Sequence, residues 1–253
     1  MRTGFRTAST PTTASSSAHT GPHLLPLFAG MLALALTACS GTTDDAAAAP
    51  SATDTANSPA AEPAPSSTPI PQRTLLVMGD SLSAGYGLRT DEDWVSLTTE
   101  RIKRKHPDWR VINASISGET TAGGAARIGA ALERHRPDAV IIELGGNDGL
   151  RGLSLEQTRA NLEAMIRAAQ AADASVLLIG MRLPPNYGPD YTAGFEANYR
   201  TLAEEYGTAF LPFLLEPIAA DDNAFQGDRI HPTEAAQPAL RDHVWPALQP
   251  LLQ

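Results

Sequence analysis

Several features that would define common protein classes are missing from this sequence. It has one cysteine in 253 residues, so no disulfide can form within the chain. Lys and Arg total 19 against 28 Asp and Glu, which argues against a nucleic-acid partner. The glycine patterns of nucleotide-binding loops are absent, and no His, Cys and acidic residues have metal-ligand spacing. We therefore expect no cofactor, no metal and no nucleic acid.

The longest apolar stretch is too short to suit a membrane-spanning helix. It runs from Leu24 to Ala38, about 15 residues against the roughly 20 that cross a bilayer. Arg2 and Arg6 precede it among Ser and Thr, which is the layout of a secretory signal peptide. Residues 1–38 are therefore predicted to be a signal peptide, with a permanent membrane helix as the alternative.

The single cysteine, Cys39, ends this stretch. The sequence Leu36-Thr37-Ala38-Cys39 resembles the bacterial lipoprotein box, in which the cysteine is lipidated and becomes the mature N-terminus. That resemblance implies that the protein is anchored to a membrane through a lipid on Cys39. Because Ser40 and not Asp follows, it also implies the bacterial outer membrane, facing the periplasm. An ordinary signal peptide cut nearby is the alternative.

Residues 39–72 have the composition of a tether. Beyond Cys39 they are mostly Ala, Pro, Ser and Thr, with four acidic residues and no basic one. Such a segment buries too little apolar surface to offset its ordering entropy, and we expect it to be disordered. Residues 73–253 are long enough for one folded domain with a single core.

Five short apolar runs alternate with helical patterns in this domain, at 75–78, 111–112, 139–144, 176–180 and 209–211. Alternation of this kind predicts crossover units and a mainly parallel sheet. The spacing of apolar residues predicts helices over Ser154–Ala172 and around Tyr191–Tyr206, the second burying Phe195, Tyr199 and Tyr206. Ligands of such sheets bind beyond the carboxyl ends of the strands.

Four polar segments follow strands or lie near the C-terminus: GDSLS from Gly79, NASISGET from Asn113, GGNDG from Gly145 and DRIHP from Asp228. Each alone is explained by a helix cap or a turn. Together they supply what acyl transfer from an ester requires. A serine nucleophile needs a histidine base oriented by a carboxylate, and an oxyanion needs N–H donors.

The candidates for these roles come one or two from each segment. Ser81, His231 and Asp228 are the candidate nucleophile, base and orienting acid. The candidate oxyanion donors are the backbone N–H of Ser81, Gly118 and the side chain of Asn147. Glu143 lies in an otherwise apolar strand, either paired inside or facing an edge.

The four blocks, in this order, resemble those of the SGNH, or GDSL, hydrolases. NASISGET, ELGGNDGLRG and RLPPNYG make the bacterial arylesterase, acyl-CoA thioesterase and lysophospholipase subfamily the nearest resemblance. The resemblance covers nearly all of residues 73–253 and implies the same roles for Ser81, Asp228, His231, Gly118 and Asn147. It also implies a three-layer α/β/α flavodoxin-like fold with a mainly parallel five-stranded sheet.

The expected activity is cleavage of carboxylic esters or thioesters through an acyl-serine intermediate, acting on a small-molecule acyl substrate. The resemblance further implies that the loop Met181–Tyr191 shapes the acyl pocket, unless it is only a connector. Two other functions stay open at this point: a carbohydrate O-deacetylase on the same frame, and a non-catalytic surface binding lipoprotein.

Overall fold

The computed structural model describes residues 72–253. The predicted signal peptide, Cys39 and all but the last residue of the predicted tether lie outside the described residues. Within the described part, no helix combines the length and the apolar character that crossing a membrane requires.

In the described part of the chain, one sheet of five parallel strands forms the centre of the domain, in the order β2-β1-β3-β4-β5. Its strands are β1 (Arg73–Gly79), β2 (Trp109–Asn113), β3 (Ala139–Glu143), β4 (Ser175–Ile179) and β5 (Ala209–Leu211). Each predicted apolar run falls on a strand. This is the flavodoxin-like strand order, whose switch point lies between β1 and β3.

Within residues 72–253, six α-helices connect and flank the strands: α1 (Trp94–Lys105), α2 (Thr121–His135), α3 (Gly146–Leu150), α4 (Leu155–Ala171), α5 (Pro189–Tyr206) and α6 (Gln237–Leu248). The Ser154 side chain caps the start of α4 by accepting from the N–H of Gln157. Helix α5 begins earlier than predicted, at Pro189, whose fixed φ suits the first helical position.

The helices complete three layers. Helices α1 and α6 pack together, while α4 packs against both α2 and α5. Since both faces of the sheet are covered, its central strands are mostly apolar, and all their residues except the first of β1 and of β4 are buried. In α5, Phe195 and Tyr199 are buried as predicted, but Tyr206 is half-buried and its hydroxyl donates to Glu163, 2.6 Å away. The predicted fold class is confirmed.

Candidate active site

Ser81 lies in a tight turn just beyond β1, at the carboxyl edge of the sheet. The N–H of Ala84 donates to the carbonyl of Asp80 at 2.9 Å, and that of Tyr86 to the carbonyl of Ser81 at 3.1 Å. Gly79 precedes the turn because no larger residue fits. A Cβ there would lie 2.7 Å from the Cβ of Ser83 and 2.9 Å from a carboxyl oxygen of Glu143.

His231 joins Ser81 to Asp228. Its Nε2 lies 2.8 Å from Ser81 Oγ and its Nδ1 lies 2.6 Å from Asp228 Oδ2. Since a carboxylate accepts hydrogen bonds, the proton of the neutral ring sits on Nδ1, and Nε2 is free to accept from the serine hydroxyl. The three predicted residues of the triad thus form one hydrogen-bonded chain, although 150 positions separate the serine from the histidine.

Asp228 is held as an anion. Its hydrogen bond to the His231 side chain, together with the N–H groups of His231 and Ile230 that donate to Oδ1 at 3.0 and 2.9 Å, lowers the pKa of Asp228 to about 2. Hydrogen bonds to a charged carboxylate favour its charged form. The loop that carries the histidine therefore keeps a fixed negative charge beside the imidazole.

Two residues that the sequence analysis missed connect this loop to the serine turn. The amide nitrogen of Gln226 donates to the carbonyl oxygens of Tyr86 (2.9 Å) and Pro232 (3.1 Å). The ring of Tyr86 lies on the imidazole of His231, with centroids 4.4 Å apart. Neither residue belongs to a quoted motif, and only the three-dimensional contact reveals them.

The candidate oxyanion donors surround the same cleft. Ser81, Gly118 and Asn147 all line it, together with His231. Gly118 has a φ of +79°, a conformation that L side chains rarely adopt, so glycine is required there. Asn147 lies in the first turn of α3, and one N–H of its amide donates to Asp80 Oδ2 at 3.1 Å. The other N–H remains available to a ligand.

Two buried carboxyl groups lie beneath the serine turn. Burial raises the pKa of Asp80 to about 6, and burial next to Asp80 raises the pKa of Glu143 well above its usual value. Glu143 is the last residue of the central strand β3, so it lies inside the protein and not on an edge strand of the sheet. The hydroxyl of Ser83 donates to Glu143 Oε2 at 2.6 Å. The other carboxyl oxygen of Glu143, Oε1, has no hydrogen-bond partner within residues 72–253.

A third buried carboxyl group, Asp148, fixes α3 against the start of α2. It accepts from the N–H of Thr121 at 2.9 Å and from the hydroxyl of the same residue at 2.5 Å. Asn161 on α4 donates to that hydroxyl at 3.1 Å. The GGND motif contains Asp148, but spacing alone gives no reason to separate its role from that of Asn147.

The cleft has a volume of about 800 Å³ and a largely apolar lining. The predicted loop after β4 contributes Met181, Leu183, Pro184 and Pro185, and the segment after α3 contributes Leu150. Phe213 and Leu215 from beyond β5 also line it. Across residues 72–253, no three His, Cys, Asp or Glu side chains cluster in a way that could hold a metal ion. The cleft is therefore a largely apolar cavity with Ser81 and His231 in its lining.

Comparison with known proteins gives matches over the same part of the chain. Esterase TesA of Pseudomonas aeruginosa is 51% identical over 180 residues, which cover 71% of this chain and 90% of that protein. The Escherichia coli protein named thioesterase 1/protease 1/lysophospholipase L1 is 44% identical over 179 residues, 71% of this chain and 85% of that one.

A crystal structure of TesA superimposes with a TM-score of 0.69 at 50% identity, covering 71% of this chain and 99% of that chain. The matched domain makes up almost the whole of that solved chain, which folds without a counterpart of residues 1–71 of this sequence. The model of the GDSL-like Lipase/Acylhydrolase family matches residues 77–238. The four motifs, the flavodoxin-like sheet and these matches agree, and the chain belongs to the GDSL-like lipase/acylhydrolase family of SGNH hydrolases.

Proposed function

We propose that the domain hydrolyses carboxylic esters and thioesters through an acyl-serine intermediate, with Ser81 as nucleophile and Asp228 and His231 completing the triad. One observation carries this proposal: His231 bonds Ser81 through one ring nitrogen and Asp228 through the other. A serine hydroxyl is a weak nucleophile without such a base. The names of the relatives, which include esterase and thioesterase, support the same chemistry.

In the acylation step, Ser81 Oγ forms a bond to the acyl carbon while His231 Nε2 takes the hydroxyl proton. The carbonyl oxygen becomes an oxyanion, which accepts from the N–H groups of Ser81 and Gly118 and from the free amide N–H of Asn147. When the tetrahedral intermediate collapses, the bond to the leaving oxygen or sulfur breaks and His231 returns the proton to that atom. Asp228 stays ionised throughout and stabilises the imidazolium.

Deacylation repeats the sequence with water. His231 accepts a proton from the water, whose oxygen attacks the acyl carbon, and the proton then returns to Ser81 Oγ as the acid departs. No redox step is involved, so neither a cofactor nor a metal is needed for the balance of atoms and electrons.

The cleft favours an acyl chain over an acetylated sugar as the substrate. A sugar needs polar partners for its hydroxyls, whereas Met181, Leu183, Phe213 and Leu215 offer only apolar surface. Its volume of about 800 Å³ is within the usual range for sites that hold small molecules. Acyl esters and acyl thioesters are therefore the preferred substrate class over carbohydrate esters.

The test is hydrolysis of p-nitrophenyl butyrate by residues 72–253. Ser81→Ala should lower kcat on the order of a millionfold, because removal of the nucleophile removes the acyl intermediate. Ser175→Ala is a matched control, since this serine is exposed at the start of β4, the opposite edge of the sheet. Both variants must give the wild-type circular dichroism spectrum. Equal rates for Ser81→Ala and wild type would contradict the proposal.

We also propose that the mature chain is a lipoprotein of the bacterial outer membrane, anchored at Cys39. The support is the sequence Leu36 to Cys39 after an apolar stretch, with Ser40 following. Growth of cells with an alkyne-labelled fatty acid should label the full-length protein, and Cys39→Ala should abolish the label. Labelling that survives Cys39→Ala would show that the lipid is attached elsewhere, and no labelling of the wild type would favour an ordinary signal peptide.

A further inference from the structure

Most of the exposed large apolar side chains of the described domain line the cleft. Five large apolar residues in residues 72–253 are exposed, to between 38% and 52%: Tyr86, Ile116, Leu150, Leu153 and Ile230. Three of them, Tyr86, Leu150 and Ile230, line the cleft itself. Ile116 directly precedes the cleft residues Ser117 and Gly118. We name these five residues the apolar rim.

The backbone of the rim is held in place, so the exposure of its side chains is built into the fold. The hydroxyls of Tyr187 and Tyr191 donate to the carbonyl oxygens of Leu150 and Leu153, at 2.8 and 2.7 Å. The N–H of Ile230 donates to Asp228. Exposed apolar side chains that gather at one site mark an interaction surface.

The rim extends beyond what a substrate in the cleft would cover. Ile116 and Leu153 do not line the cleft, so a bound acyl chain leaves them in water. A flat apolar phase around the mouth would cover both. This separates a docking function from substrate binding, because the two residues contribute to the first and not to the second.

Two arginines line the cleft of a chain that is acidic overall, while the anionic Asp228 next to Arg229 is hydrogen-bonded to His231. The chain has nine more acidic than basic residues, yet the charged side chains that line the cleft, apart from His231 and the buried Asp80, are Arg182 and Arg229. Arg229 forms no ion pair within residues 72–253, whereas Arg182 lies near Glu196 and Glu216. Cationic residues beside exposed apolar ones are the combination that binds an anionic lipid surface.

We propose that the apolar rim, together with Arg229, docks the cleft face-down on an anionic phospholipid surface, from which acyl substrates enter the cavity. This rests on the proposed function for the catalytic step, but the docking surface does not depend on turnover. The chain enters the domain through β1 at Arg73, the opposite edge of the sheet from the mouth.

The test is sedimentation of residues 72–253 with vesicles of diether phosphatidylcholine, with or without diether phosphatidylglycerol. Ether lipids contain no acyl ester, so the vesicles stay intact during the measurement. We expect binding to the anionic vesicles, weakened by salt. The double variant Ile116→Ser/Leu153→Ser should lower the partition coefficient at least about tenfold, because both exposed side chains lose apolar area. Its kcat/KM for soluble p-nitrophenyl butyrate should stay unchanged.

A matched pair of arginine variants tests the charge. Arg229→Gln should weaken binding about fivefold, the effect expected of one cationic residue at a lipid surface. Arg134→Gln removes the same charge from the last turn of α2 and should have no effect. If the two variants weaken binding equally, only net charge matters and the proposed role of Arg229 is wrong.

The outcomes separate docking from catalysis. A wild-type domain that hydrolyses the soluble ester but sediments with neither vesicle would overturn the docking proposal and leave the proposed function standing. Sedimentation that the double serine variant does not reduce would also overturn it, because another face would then hold the membrane. Sedimentation that the double variant reduces, without any ester hydrolysis, would support the docking surface and contradict the proposed function.

Discussion

The acidic groups on the two sides of Ser81 lie in opposite environments. Asp228, on the loop that carries the histidine, is partly exposed and its pKa is lowered to about 2 by hydrogen-bond donors. Asp80 and Glu143, beneath the serine turn, are buried, and burial raises the pKa of both. The same functional group is thus kept charged on one side of the nucleophile and pushed towards the neutral form on the other.

This difference separates chemistry from support. A carboxylate that stays charged beside His231 stabilises the imidazolium that forms when the serine proton is transferred. The buried pair accepts hydrogen bonds from the serine turn and from Asn147: Asp80 accepts from the N–H of Leu82 and from Asn147, and Glu143 accepts from Ser83. Its role is to hold the turn and the amide in place.

We expect the largest loss of activity from a change at Asp228, the partly exposed acid of the triad. Asp228→Asn should lower kcat about 10³ to 10⁴-fold, because an amide no longer fixes the proton of His231 on Nδ1. Asp222→Asn, an exposed acid six positions earlier in the chain, is the matched control and should retain full activity. The measurement is p-nitrophenyl butyrate hydrolysis at pH 8. A loss below tenfold for Asp228→Asn would show that the charge is not used.

The link between the two sides is Asn147, which bonds the buried Asp80 and faces the cleft. Asn147→Ala should lower kcat about a hundredfold and change KM little, because one oxyanion donor acts mainly in the transition state. Asn223→Ala, an exposed residue of a short 3₁₀ helix, is the control. If KM rises and kcat does not fall, Asn147 binds substrate in its ground state and is not an oxyanion donor.

The role of Asp228 on the histidine loop was predictable from the sequence, and the roles of the buried Asp80 and Glu143 were not. Asp228 and His231 are three residues apart, so local spacing already suggests their contact, and the order of the four blocks places Ser81 beside them. The five strands were predictable because both faces of a parallel sheet are covered, which makes each strand a short apolar run. Glu143 interrupts such a run, and sequence alone left its place open.

Other contacts were missed because they join residues that are distant in the chain. Gln226 lies 140 positions from Tyr86, and Asp148 lies 27 positions from Thr121. Polar residues of this kind have no periodicity, so neither strand nor helix patterns identify them. Tyr206 was predicted to be buried, but it is half-buried and its hydroxyl donates to Glu163, since an amphipathic side chain of this type keeps its polar tip accessible.

The buried side predicts a dependence of stability on pH. A carboxyl group whose pKa is higher in the folded than in the unfolded chain destabilises the fold as pH rises through the interval between the two values. The wild type should therefore lose stability relative to Glu143→Gln above about pH 4.3, the ordinary pKa of glutamate, by at most about 1.4 kcal/mol per pH unit. Urea unfolding of both proteins between pH 4 and 8 measures this difference. A constant difference would show that Glu143 ionises normally.

The smallest effect is expected where the two sides are clamped together. Gln226 donates from its amide to the carbonyl of Tyr86 and so ties the histidine loop to the serine turn. Gln226→Ala should lower kcat about tenfold, since small displacements between nucleophile and base slow proton transfer.

The matched control for the clamp is Gln170→Ala, because Gln170 donates in the same way to the carbonyl of Tyr206, away from the cleft. That variant should keep its kcat. Gln226→Glu has the same size but no N–H to donate, and it places a charge against carbonyl oxygens, so its kcat should fall at least as far as that of the alanine variant. If Gln226→Glu is as active as the wild type, the residue acts only through its volume, and the two sides of the site are held together by packing instead of by this hydrogen bond.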